Sequence, residues 1–297
     1  MERMPVANWL LIVGTCIVSV ALWLAESKYD RSLSHLQSEV LQRKVAADKQ
    51  LQGKRLTPKQ REAMEQKNQD ELEQFAIDRA QQLGDSPIAK AAIHADWDDF
   101  HFYELITYQF AHGDILHLVG NMIFLFCFGN AVCAKVGNVL FVPLYLLLGA
   151  IAGGLWALVS QSLMIGASGA IMGITGVFLV LYPLNEIATW TFRSMIWTGD
   201  AWRFPSWVVI LFYMTLDLIG LMTDGESGGG VAYVAHLAGM ACGFGVGLVL
   251  TMTRFVESHR GEQFLPEIWG WLGEKPVKRR KRKRRPDAPT SERMPDL

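Results

Sequence analysis

The chain has 297 residues, 51% hydrophobic and 19% charged, below the roughly 25% charge of ordinary soluble domains. Its net charge of -1 averages an acidic-and-basic region, 26–100, against a very basic one, 275–297, while the stretch from Leu105 to Thr253 is nearly charge-free. So many apolar runs of bilayer length exclude a single soluble core and point to a membrane.

The first apolar run, Val6 to Leu24, is about span-length. Bulky residues around Ala21-Leu-Trp-Leu-Ala25 do not suit a signal-peptide cleavage site, so the run is expected to remain as a first transmembrane helix, residues 1–25. Residues 26–100 predict a helical, extracytoplasmic insert. Leu33, Leu36, Val40 and Leu41 recur at helical spacing until Gly53. Thr57-Pro58-Lys59-Gln60 then reads as a capped start, with Pro in the first turn and Gln three residues after Thr. This second helix is expected to run to Leu83, where Gly84 can adopt the left-handed terminal conformation. The two helices predict a hairpin or small cap. Trp97, Phe100, Phe102 and Tyr103 suit the membrane interface.

Residues 101–255 predict the core, with further spans near 115–133, 139–159, 168–183, 206–222 and 231–253, six in all with the first near 8–25. The fourth is short, which a bilayer tolerates if its start faces a water-filled cavity. Lys135, Arg193, Arg203, Arg254 and Arg260 fall on one side of this arrangement. The alternate loops, Ser160 to Ala167 and Thr223 to Gly230, contain no Lys or Arg. The positive-inside rule therefore places both termini in the cytoplasm. Residues 256–297 form a basic cytoplasmic tail, whose run from Lys278 to Arg285 could touch anionic lipid headgroups. Its tethering at a membrane argues against nucleic-acid binding. The cysteines, Cys16, Cys127, Cys133 and Cys242, all fall in apolar runs and read as small hydrophobes. No zinc-ligand spacing occurs.

Polar residues inside a bilayer are costly and point to function. Here they are His117, Asn121, Ser168, Asp217 and His236. Ser168 starts the short fourth span, where free backbone N–H groups and the helix dipole favour an oxyanion. Gly169, Gly173 and Gly176 follow it. His236, Gly239, Gly243 and Gly247 share one face of the sixth span, so two small-residue faces could bring the helices close. A Ser168–His236 hydrogen bond would then supply a nucleophile and its general base. No third carboxylate is evident, so the pair reads as a dyad. His117 and Asn121, four apart, could both donate to an oxyanion. Asp217 reads as structural or gating.

Together these pieces resemble the rhomboid family of intramembrane serine proteases. The matching segments are Ala111-His112-Gly-Asp-Ile-Leu-His117-Leu-Val-Gly-Asn121-Met122, Gly166-Ala-Ser168-Gly-Ala170, and Ala235-His236-Leu-Ala-Gly239 with Gly243. The resemblance covers about 101–253. It implies an all-α membrane protein built on a six-helix core, with Ser168 as nucleophile, His236 as base, and His117 and Asn121 as oxyanion side chains. It implies no cofactor and no metal, and substrates that are single-span membrane proteins cut where their helices unwind. Two positions depart from the family: Tyr103-Glu104 stands where Trp-Arg is frequent, and Met172 where an aromatic residue often stacks on the histidine. The alternative is a catalytically inactive relative that binds transmembrane helices. A transporter or channel would want a charged pathway or an internal repeat, and the sequence has neither. The compact chain suggests a bacterial inner (plasma) membrane.

Overall fold

The computed structural model describes residues 4–94, 100–160, 162–189, 202–223, 233–258 and 262–271. Trp97, Arg193, the loop at 224–230, Arg260, the Asp217 side chain and the run from Lys278 to Arg285 lie outside the described residues.

Helix α1 (Val6–Gln52) is a single helix of 47 residues. The expected boundary at residue 25 is not a structural one. Beyond Gly14 the segment has no Gly or Pro until Gly53, and a change from apolar to polar side chains does not interrupt backbone hydrogen bonding. At 1.5 Å per residue α1 is roughly 70 Å long, about twice a bilayer's hydrocarbon thickness. Its polar half meets α2 (Pro58–Leu83), as expected. The Thr57–Gln60 capping box is present, and Gly84 ends the helix at φ +69°. Arg43 covers the Phe75 ring at 3.7 Å, and Arg79 reaches Glu39 at 3.5 Å. No α2 residue is fully buried, so this hairpin is closed by side chains along one seam. Its base is fastened where Glu26 accepts the Ile88 N–H at 3.1 Å, at the start of α3 (Pro87–Ala91).

A short α4 (Glu104–Thr107) and a tight turn at Tyr108–Phe110 lead into α5 (Ile115–Phe124). A wider π-type turn, Leu125–Gly129, joins α5 to α6 (Asn130–Val136). Such a turn frees carbonyls, and Asn8 of α1 satisfies one, donating to Leu125 O at 3.0 Å and to Asn130 Oδ1 at 2.9 Å. Next come α7 (Asn138–Ala157), α8 (Ser168–Leu181), α9 (Ser206–Thr223) and α10 (Tyr233–Met252). The expected loop between α8 and α9 contains an antiparallel ribbon, β1 (Glu186–Thr189) with β2 (Trp202–Pro205). A final turn, α11 (Leu265–Ile268), tucks Phe264 into the core, beside an ion pair between Lys135 and Glu262.

Four of these stretches are long and apolar enough to cross a membrane: α1, the run Ile115–Val136, α7 and α10. Ser168–Leu181 and Ser206–Leu216 are shorter apolar helices. Helix α8 is the hub of the fold. Twelve of its 14 residues are buried, so it runs through the middle of the bundle with its neighbours against every face.

Candidate active site

The segment entering α8 is held by backbone hydrogen bonds from two directions. Met164 exchanges both backbone hydrogen bonds with Ile93 (2.9 and 3.1 Å), and the Gly166 N–H donates to Tyr108 O at 2.9 Å. Gly166 has φ +124°, a conformation that L side chains avoid. That turn delivers Ser168 as the first residue of α8. Ala167, the preceding residue, makes no side-chain cap, so the first-turn N–H groups have no intrahelical acceptor.

His236 Nε2 lies 2.8 Å from Ser168 Oγ. The helices carrying them touch almost backbone to backbone. A methyl group at Gly239 or Gly243 would overlap the carbonyls of Gly169 and Gly173, and one at Gly247 would come within 2.9 Å of Val180 Cβ. The expected glycine face on α10 is therefore real. That on α8 is divided. Gly176 turns toward Met240 and Phe244 of α10, whereas Gly169 and Gly173 make room for Ala152 and Leu148 of α7. Helix α8 is thus pinched between two helices, which fixes the height of Ser168.

His117 and Asn121 sit one turn apart on α5. Asp114 caps that helix, accepting from Leu116 N (2.8 Å) and His117 N (2.9 Å). The His117 N–H and then that of Leu116 hold the exposed Asp114 carboxyl below its ordinary pKa. The His117 ring lies against Gly166, where a β-carbon would stand 2.8 Å from Cε1 and 2.9 Å from Nε2. Asn121 is buried, and its Nδ2 has no hydrogen-bond partner among the described residues. A buried amide donor left without an acceptor is rare in a resting fold. Met172 is buried in the main core cluster.

His112 matters more than its place in the motif suggested. It is fully buried, and its ring meets the His117 ring edge-on at 5.1 Å. The Ala167 N–H approaches its Nε2 at 3.5 Å, and its Nδ1 lies 3.0 Å from Ser19 Oγ on α1. With Nε2 accepting, Nδ1 donates to Ser19, whose hydroxyl donates to Phe110 O at 2.9 Å. Trp23 Nε1 donates to the His112 carbonyl. Helix α1 thus braces the loop before the serine. The signal available in sequence was a histidine five residues before His117.

Fold and site together define a helical membrane protein with a serine hydroxyl bonded to a histidine from another helix. The rhomboid domain model matches residues 99–253, and the chain belongs to the rhomboid family. RHOMBOID-like protein 6, mitochondrial, of Arabidopsis thaliana is 32% identical over 152 residues, 50% of this chain and 44% of that protein. Rhomboid protein 1, mitochondrial, of Saccharomyces cerevisiae is 32% identical over 149 residues, 47% of this chain and 39% of that protein. RHOMBOID-like protein 5 of Arabidopsis thaliana is 28% identical over 155 residues, again covering 50% and 44%. The chain spans less than half the length of these relatives. Residues 6–94, with the long α1 and its hairpin, lie ahead of the matched domain.

Proposed function

We propose that this protein is an intramembrane serine protease that cleaves single-span membrane proteins, with Ser168 as nucleophile and His236 as general base. The observation that carries this reading is the 2.8 Å approach of His236 Nε2 to Ser168 Oγ. In the first step Oγ attacks the scissile carbonyl carbon as its proton passes to Nε2. The carbonyl oxygen becomes an oxyanion, taken by the Ser168 N–H with His117 and Asn121. Collapse breaks the C–N bond, and His236 returns the proton to the departing amine. Water, deprotonated by His236, then hydrolyses the acyl-enzyme. The orphaned Asn121 donor and the His117 ring packed over Gly166 support their two roles.

The reading includes six spans: the first half of α1, Ile115–Val136, α7, α8, α9 and α10. At 14 residues, α8 reaches roughly 21 Å, short of the ~30 Å hydrocarbon layer. With its C-terminus at one interface, Ser168 lies beneath the other, open to water from the outer side. Both termini are cytoplasmic, on the loop charges described above, and the basic run from Lys278 to Arg285 contacts anionic headgroups. The bacterial plasma membrane draws no support from the relatives, several of which carry "mitochondrial" in their names. Substrate entry has a backbone rationale. Met164 turns its N–H and C=O toward Ile93, so alternation turns those of Leu163 and Ile165 to the opposite edge. Neither has a backbone partner among the described residues. An unwound substrate segment can add there as a strand.

The test is fluorophosphonate labelling of the detergent-solubilised protein beside Ser168→Ala and His236→Ala. Labelling of the wild type alone is expected. A folded wild type that takes no label would favour the inactive relative that binds transmembrane helices.

A further inference from the structure

Glu104 stood out in the sequence only as a departure from the family's usual arginine. Among the described residues it is the only fully buried Asp, Glu, Lys or Arg. Its side chain is 1% exposed, on a helix of four residues, among groups that connect the insert to the active site. Its Oε2 accepts the backbone N–H of His94 at 2.9 Å. Its Oε1 faces His94 Nδ1 at 3.1 Å and His101 Nδ1 at 3.4 Å. The His94 contact is near enough for an ion pair but is not aligned as a hydrogen bond.

His94 directly follows Ile93, the residue paired with Met164. Ile93 is itself fully buried and packs in a second core cluster with Tyr108, Ala152, Trp156, Met164 and Ala235. Ala235 adjoins His236. One turn beyond Glu104, Thr107 Oγ1 donates to Ala91 O at 3.0 Å, and Tyr108 O holds Gly166. The segment 104–108 therefore grips the end of the insert with two side chains and the serine loop with a carbonyl. A buried carboxylate is retained against its desolvation cost only when several partners hold it, and these partners belong to His94, at the end of the insert, and His101, just beyond it.

We infer that Glu104 is a positioning residue for catalysis: it anchors His94, so that Ile93 braces Met164 from behind and sets the strand that substrate joins and the turn that presents Ser168. The end of the insert, residues 91–94, is then part of the working site although it lies ahead of the family-matched domain. The inference rests on Ser168 being the nucleophile, with a consequence for backbone protection that does not.

The experiment compares full-length wild type, Glu104→Ala and Glu104→Gln in detergent, with two readouts. The first is cleavage of a transmembrane substrate, with kcat and KM separated. The second is hydrogen exchange in peptides covering 162–168. Glu104→Ala is expected to lower kcat about tenfold, the scale of one lost charge-assisted hydrogen bond, to raise KM, and to raise exchange at Met164 and Gly166. Glu104→Gln keeps an oxygen facing the His94 N–H, so it should recover most of the kcat and the protection. Where Glu104→Ala does not fold, His94→Pro removes the same N–H and leaves Ile93 in the extended conformation that a following proline favours. It should reproduce the loss. Unchanged exchange at 162–168 in the variant that folds overturns the inference, and so does failure of Glu104→Gln to restore it. A wild type that neither labels nor cleaves would fail the proposed function alone, and the exchange comparison would still decide the brace.

Discussion

Replacing Gly166 by alanine would test how closely the serine turn and the His117 ring are built against each other. Gly166 has φ +124°, so any side chain there strains the backbone by ~1–3 kcal/mol. The added methyl would also stand 2.8 Å from His117 Cε1, where ordinary contact begins near 3.4 Å. The ring must retreat by about 0.6 Å, or the turn must reopen. Removing an oxyanion donor outright costs ~10²–10³ in turnover, and displacement of this size should fall toward the lower end, about 100-fold in kcat. The assay is substrate cleavage with kcat and KM separated, run beside thermal melting. A double-mutant cycle with His117→Ala gives the sharper answer. If the methyl acts through the ring, the double variant cleaves like His117→Ala alone. A folded Gly166→Ala that cleaves within threefold of wild type, or fully additive losses in the cycle, would refute the packing argument.

His112 predicts acid sensitivity. Burial first, and the neighbouring His117 second, lower its pKa to about 4, whereas the unfolded chain protonates histidine below about 6.5. Between those values the unfolded state binds more protons, so stability is full above pH ~6.5 and is lost as pH falls toward 4, by up to about 3 kcal/mol. Melting of His112→Asn should lose that part of the slope between pH 4 and 6.5, and an unchanged slope would sink the assignment. Asn8→Ala leaves Leu125 O without its donor, so it should lower stability by ~1–3 kcal/mol. A melting temperature within error of wild type would show that water or lipid satisfies that carbonyl.

Part of this site was legible in the chain because it depends on residue type and spacing. The four-residue spacing of His117 and Asn121, the place of Ser168 at a helix start and the glycines that follow His236 on α10 are patterns of residue type and spacing that can be read without the fold. Thr57 and Gly84 were readable because caps are local. Glu104 was not: a charged residue beside Tyr103 reads as surface, and only the return of residues 91–94 beneath it makes it buried and partnered. The orientation of Gly169 and Gly173 was also hidden, because a glycine stripe records where neighbours come close without recording which neighbour. Sequence by itself determined that the chain is helical, enters a membrane and carries a serine and a histidine at helix positions suited to meeting. Tertiary structure decided that α1 continues past the bilayer, that His112 ties it to the serine turn, and that the insert ends against Met164. The last two depend on contacts between residues far apart in the chain, which no local pattern encodes.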